Sequence, residues 1–311
     1  MTRLALAIAL DLLVGDPPNR WHPVAWIGAA IALGRRHAPR TAEALTVHGG
    51  VLIVLVAGAA SGAAAAIIAI TAALPPMLAL LVQAWLLKCS FSLHGLFAAV
   101  ELVRGHLVAD DLAGARRQVA WHLVSRTTDD LDRGAVASAA VESLAENLTD
   151  GLVAPVCFYV AGCLIGGVGL GMAAAWAYRA VNTADAMIGY RQDELEYLGR
   201  ATARTDDVLN YVPARAAAWA LVAGAWLARQ SADGAAAVLW RDGRRTASPN
   251  AGQTMAAMAG ALGVALEKRG HYRLGDGPAP DVEAIDRAVR VARWAAALSL
   301  ILVGLVLLAR P

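Results

Sequence analysis

Uncharged runs alternate with charged blocks along the chain. No Asp, Glu, Lys or Arg occurs from Ala44 to Leu87, from Gly151 to Tyr178, or from Trp294 to Ala309. A helix needs roughly 20 apolar residues, at about 1.5 Å rise each, to cross the hydrocarbon core of a bilayer. The pattern therefore predicts an all-α, polytopic integral membrane protein. We expect one helical membrane domain over residues 1–311, with about five to six membrane-embedded segments.

Leu4 to Val14 is apolar but too short to cross alone. Arg3 before "LALAIAL" resembles the start of a signal peptide, but Asp11 and "GDPP" replace the small-residue cleavage site, so the segment is read as retained. "GDPPNRWHPV" (15–24) predicts a rigid loop, because its prolines forbid a continuing helix. An apolar hairpin follows, with arms at 45–73 and 77–99 turned by "LPP" (74–76). A polar helical region runs from about 101 to 150. The run 151–178 is interrupted by "GCLIGGVGLG" (162–171), which makes it either one kinked helix or a re-entrant hairpin. Further apolar segments lie near 212–228 and 253–266, and the final span is expected at 291–309.

Composition strengthens the membrane assignment, with 58% hydrophobic and 17% charged residues, against about 45–50% and 25% in soluble domains. The net charge of +2 gives no global basic field, so nucleic acid is not expected as a partner. Lys88 and Lys268 are the only lysines among the basic residues. Cys89, Cys157 and Cys163 lie in apolar stretches without metal-ligand spacing and read as buried small hydrophobes. Nearly all charge falls in 15–43, 100–150, 179–215, 229–249 and 267–293, whereas the turn at 74–76 and the glycine-rich bend carry none. By the positive-inside tendency these blocks share the cytoplasmic face of the cell membrane, as an enzyme acting on cytoplasmic substrates requires.

"ESLAENLTDGLVAP" (142–155) carries Glu142, Glu146 and Asp150 to the edge of an uncharged run. Each acid at mid-bilayer costs about 2.5–3.5 kcal/mol even on the lenient insertion scale. The group must therefore line a wet cavity or sit at the cytoplasmic edge. At i,i+4 spacing the acids form one helical stripe, which also suits a plain solvated face. "AYRAVNTADAMIGY" (177–190) sets Arg179, Asn182 and Asp185 at i,i+3 steps, and "ARTDDVLNYVPAR" (203–215) adds Arg204, Asp206, Asp207, Asn210 and Arg215. "SPNAG" (248–252) is a turn-forming run. Each cluster alone suits a loop or helix end; their recurrence on one membrane side points to a single wet site.

These stretches, with "LDLLVGDPPNRWHPV", "RATARTDDVLNYVPAR" and "SPNAG…AAMAGALGV", resemble in order the CobD/CbiB family of cobalamin-biosynthesis membrane proteins over about residues 5–275. The resemblance implies an adenosylcobinamide-phosphate synthase. Such an enzyme attaches aminopropanol or aminopropanol phosphate to a corrin propionate of adenosylcobyric acid, with ATP as co-substrate and Mg²⁺. It also implies contact with other cobalamin-biosynthesis enzymes at the membrane. Gln253, Thr254 and Met255 stand where many members have Trp-Pro-Glu, so no carboxylate role is assigned there. "SRTTDDLD" (125–132) departs from the commoner Arg-Asp-Thr pattern, which keeps Arg126 and sets Thr127 aside.

ATP-coupled amide formation requires an activated carboxyl, oxygen ligands for a hard cation, guanidinium groups for phosphate, and a base for the incoming ammonium. Under this resemblance the catalytic candidates are His22 (as base, beside Asp16), Asp16, Glu146, Asp185 and Arg179. The substrate- and phosphate-binding candidates are Arg126, Asn147, Asn182, Thr183, Tyr190, Arg204, Asn210, Arg215, Ser248 and Asn250. The metal candidates are Glu142, Glu146, Asp150, Asp206 and Asp207. No GxxxxGK[ST] phosphate loop occurs, so a nucleotide must be held by other means. Two other readings stay open: a Mg²⁺-dependent prenyltransferase, suggested by "NTAD", and a transporter built on the Gly162–Gly171 break.

Overall fold

The computed structural model describes residues 1–123, 128–190 and 192–309. Arg126 and Thr127 lie outside them. The chain is mostly helical: α1 (Thr2–Val14), α2 (Pro23–Arg36), α3 (Ala42–Thr71), α4 (Pro76–Lys88), α5 (Leu93–Val108), α6 (Leu112–His122) and α7 (Arg133–Leu148) come first. A π turn, Thr149–Val153, leads into α8 (Ala154–Ile188), then α9 (Leu195–Leu198), α10 (Arg200–Leu209), α11 (Tyr211–Leu227), α12 (Ala232–Asp242) and α13 (Ala251–Leu262). A two-stranded antiparallel hairpin, β1 (Leu266–Lys268) and β2 (Tyr272–Leu274), precedes α14 (Val282–Leu308). That hairpin departs from the all-α expectation, and α12 lies between the apolar segments expected near 212–228 and 253–266.

Among the described residues three helices are long and apolar enough to cross a membrane: α3, the run Arg133–Ile188, and α14. The count is four if Pro76–Lys88 and Leu93–Val108 are one broken span. This is fewer than the five to six embedded segments expected, because α1, α4, α11 and α13 fall short in length. The second arm of the first apolar hairpin does not run through to 99. It stops at Lys88, where the Ser90 hydroxyl donates to the Leu87 carbonyl at 2.6 Å and the chain turns.

The chain forms two compact units. The first comprises Met1–Ser92, Ala154–Leu209 and the chain from Val303. Its core joins Ile31 of α2, Leu45, Ile53 and Val56 of α3, Ala180, Val181, Ala184 and Ile188 of α8, and Leu198 of α9. On α3, Val47, Val51, Val54, Leu55 and Ile70 face outward, as a lipid-facing helix requires.

Helix α8 settles the choice left open by its glycines. Gly166 and Gly167 leave helical geometry, and Gly167 takes φ +80°, a conformation natural only to glycine. The two arms then fold back on each other, with Phe158 stacked on Tyr178 at 5.1 Å between ring centroids. A Cβ on Gly162 would stand 2.6 Å from the Leu170 carbonyl oxygen, and one on Gly171 2.6 Å from that of Tyr159. The segment is an antiparallel helical hairpin. Its first arm, 154–165, is about 18 Å long, too short to cross the hydrocarbon alone.

The second unit comprises Leu93–Val153 and Asn210–Leu302. Its centre is α13, buried from Gly252 through Leu262. Helices α7, α11 and α12 and both strands pack around it.

Candidate functional site

In the first unit, loop 15–22 is held by a buried lysine that carried no role in the sequence reading. Lys88, at the end of α4, is 0% exposed. Its ammonium lies 3.3 Å from the carboxylate of Asp11, itself 1% exposed, and pairs directly with Asp16. The Ser92 hydroxyl donates to the other Asp16 oxygen at 2.5 Å. Burial pushes the Asp16 carboxyl upward, but the contacts from His22, Lys88 and Ser92 and the Lys88 charge outweigh it. They hold the group well below the usual carboxylate range.

His22 does not have the geometry of a free base. Its Nδ1 accepts the Val24 N–H at 3.2 Å, which caps α2, and its Nε2 lies 3.6 Å from Asp16. The tautomer that satisfies both contacts carries its proton on Nε2, so no ring lone pair remains for a substrate proton. His22 acts here as a helix cap and a support for Asp16.

On α8, Arg179 Nη1 donates to Asn182 Oδ1 at 3.2 Å, so the i,i+3 face read from the sequence is formed. Thr183 gives its hydroxyl proton to the Arg179 carbonyl at 2.7 Å, and Tyr190 gives its own to Ala186 at 2.9 Å. Thr183 is engaged within its own helix, and Tyr190, just beyond the helix end, reaches back to its last turn. Asp185 and Arg179 are half-buried. Helix α10 packs on α8 and carries Asp206, 8% exposed, with Asp207 half-buried and Arg204 exposed.

In the second unit the acidic stripe has an anchor that the sequence reading missed. Glu142 accepts the Ser138 hydroxyl at one oxygen and the Tyr272 hydroxyl at the other, both at 2.6 Å. Ser138 in turn accepts the Glu267 N–H at 3.1 Å, so the β-hairpin is fastened to α7. Ser138 also lines a cleft of about 310 Å³ with Asp132, Glu267, Arg269 and Arg273. Asn147 donates to the carbonyl and hydroxyl of Ser143 at 2.9 and 3.0 Å. The helix does not end in a simple turn at "TDG". It widens into the π turn carrying Asp150, a feature common at functional positions.

Helix α11 packs against that π turn. Its Arg215 stacks on Tyr211 at 3.5 Å from the ring centroid and donates to Asn250 Oδ1 at 3.2 Å. Asn210, which precedes the helix, is 2% exposed. The Ser248 hydroxyl accepts the Asn250 N–H at 3.2 Å, and Thr246 accepts the Gly252 N–H at 3.0 Å, so "SPNAG" forms a capping turn for α13. Behind it Asp242, 0% exposed, binds Arg241, Arg245 and the Gly275 N–H.

Among the described residues no three His, Cys, Asp or Glu side chains form a group able to hold a metal ion. The expected metal candidates divide between the two units, with Asp206 and Asp207 on α10 and Glu142, Glu146 and Asp150 on α7 and the π turn. Glu142 has both oxygens occupied by hydroxyl donors. The remaining carboxylates have the hard oxygen chemistry of Mg²⁺, an ion often held by one or two carboxylates plus substrate phosphates.

Lys88 had a signal in the sequence, because a lone lysine closing a long uncharged run needs an anionic partner when buried. Asp11 is the one acid inside the apolar segment Leu4–Val14. Tyr272 carried no comparable mark, since its bond to Glu142 joins positions 130 residues apart, and Ser138 meets Glu267 across 129.

The fold and these polar groups define a class: a helical, membrane-embedded protein with charged side chains buried at the ends of apolar helices. The family model described as CobD/CbiB protein matches residues 4–301, and the chain belongs to that family. It is 40% identical over 272 residues to a protein of Dehalococcoides mccartyi named cobalamin biosynthesis protein CobD, covering 87% of this chain and 85% of the relative. It is also 40% identical over 273 residues to a probable cobalamin biosynthesis protein CobD of Methanothermobacter thermautotrophicus, covering 88% and 86%. Cobalamin biosynthesis protein CbiB of Salmonella typhi is 36% identical over 278 residues, covering 88% and 84%. No solved structure matches the chain.

Proposed function

We propose that this chain is a membrane enzyme of cobalamin biosynthesis that joins a propionate carboxylate of adenosylcobyric acid to aminopropanol or aminopropanol phosphate. Bond formation is driven by ATP. Family membership across residues 4–301 is the observation that carries the reading. It is supported by polar side chains buried beside apolar helices, with Asp206 8% and Asn210 2% exposed.

A carboxylate is a poor acyl donor because its leaving group is oxide. In the reaction we propose, a propionate oxygen attacks the γ-phosphorus of ATP and ADP departs, leaving an acyl phosphate. The amine then attacks the acyl carbon, and inorganic phosphate leaves with that oxygen. Arg179 and Arg204 offer guanidinium forks to phosphate. Asp206 and Asp207 offer oxygens to a divalent ion arriving on the nucleotide, which neutralises phosphate charge. The ammonium must lose a proton before attack. With His22 committed to its cap, we assign Asp16, as an anion, to bind that ammonium, and the proton leaves to bulk water. The polar blocks face the cytoplasm, where ATP is available.

The test is mass spectrometry of adenosylcobyric acid incubated with membranes containing the protein, ATP, Mg²⁺ and each amine in turn. A product heavier by the amine less one water is expected. Unchanged corrinoid with both amines would reject the reading.

A further inference from the structure

Three side chains reach Asp16 in loop 15–22: Ser92 and His22, and the fully buried Lys88, the one cation of the three that is always charged at neutral pH. The loop's 3₁₀ turn, Asn19–Trp21, contains no buried residue, and the Asp16 side chain is 32% exposed. A carboxylate so placed samples several rotamers unless a partner selects one. That partner is Lys88, whose ammonium pairs with Asp16 from a position with no exposure to solvent.

We infer that Lys88 is a positioning residue, which fixes the carboxylate of Asp16 as an anion in one orientation for the amine co-substrate. This rests on the amide-forming reading for the identity of that substrate; the link between Lys88 and Asp16 does not. The groups around Asp16 are Asp11 of α1, His22 at the start of α2, Lys88 of α4, and Cys89 and Ser92 after it. With His22 neutral, Asp11, Asp16 and Lys88 sum to one negative charge. The anion therefore remains available to an incoming ammonium. Asp11 stays inside as a counter-ion to Lys88 when Asp16 binds a cation.

Because Lys88→Met alone would strand the buried Asp11, the working variant is Lys88→Met with Asp11→Asn. The first measurement uses dicyclohexylcarbodiimide, an apolar reagent that attacks protonated carboxyl groups, with peptide mapping of Asp16. At about pH 5, Asp16 of the unaltered protein is expected to resist labelling. Labelling in the double variant is expected to rise about tenfold or more, as one pKa unit changes the protonated fraction tenfold. The second measurement is steady-state kinetics: the KM for the amine should rise about tenfold, while the KM for the corrinoid should stay unchanged.

Ready labelling of Asp16 in the unaltered protein overturns the inference even if the double variant does not fold. Equal labelling in a folded double variant overturns it as well, and so does an unchanged amine KM in that variant. If the unaltered protein forms no amide yet labelling follows the expectation, the reaction reading fails and the Lys88–Asp16 link stands.

Discussion

Tyr272 on strand β2 donates its hydroxyl to Glu142 on helix α7 at 2.6 Å, across 130 positions of sequence. The bond explains how a three-residue strand pair holds its place. An isolated two-stranded hairpin is marginal in water, and this one is fixed through Ser138, Glu142 and Tyr272.

Tyr272→Phe is expected to destabilise the protein by about 1–3 kcal/mol, because it leaves one oxygen of a buried carboxylate without its donor. Thermal unfolding of the purified protein in detergent checks this, and the midpoint should fall by several degrees. Glu142→Gln, which keeps the shape and one acceptor, should cost less than Glu142→Ala.

The helical hairpin of α8 gives a steric prediction. Gly171→Val should abolish folded yield, because even a Cβ there lies 2.6 Å from the Tyr159 carbonyl oxygen. Gly169→Ala should be tolerated, since the nearest atom to its Cβ is Ile68 Cγ2 at 4.0 Å. Yield and elution profile after extraction from membranes distinguish the two.

Asp242 gives a pH prediction. The Arg241 hydrogen bonds are the largest influence on its carboxyl; they hold it below the ordinary range against the opposing effect of burial. A lowered folded-state value contributes stability that is present above about pH 4 and is lost as pH falls through the folded value. Asp242→Asn should therefore be less stable than the unaltered protein at pH 7, and the gap should close on acidification below about pH 4. A constant gap from pH 7 to pH 3 would contradict the ionic role.

Much of this was legible from residue order. The uncharged runs located α3, the α8 segment and α14, because hydrocarbon tolerates no unpaired charge over that length. "GDPP" located the rigid loop, and the i,i+3 spacing located the Arg179–Asn182 contact. What stayed hidden depended on distant partners. The Gly166–Gly167 break allowed a kink or a reversal, and only the stacking of Phe158 on Tyr178 decides between them. The short β strands carry no alternating pattern, so their pairing depends on Glu142. Lys88 looked incidental until Asp11 and Asp16 stood beside it. The Ser138 and Tyr272 contacts of Glu142 were not legible either, because spacing does not reveal which hydroxyls reach a carboxylate.

Glu146→Gln should leave the protein inserted in the membrane and reduce amide formation by about 100-fold or more, the scale of losing one catalytic acid or base. Near-normal turnover by a correctly inserted variant would remove Glu146 from the chemistry.

Chelation should abolish turnover, since a nucleotide stripped of its divalent ion presents uncompensated phosphate charge. Activity should return when Mg²⁺ is added back in excess over the chelator. Full activity without the ion would remove the role assigned to Asp206 and Asp207.

The most direct measurement follows the oxygen of the reacting carboxyl group. Adenosylcobyric acid labelled with ¹⁸O in its free propionate is incubated with the protein, ATP, Mg²⁺ and the amine that supports turnover. Activation as an acyl phosphate should place one ¹⁸O in inorganic phosphate for each amide formed. Amide formation with unlabelled phosphate, or phosphate release with no amide, would contradict ATP-driven joining of the corrin carboxylate to the amine.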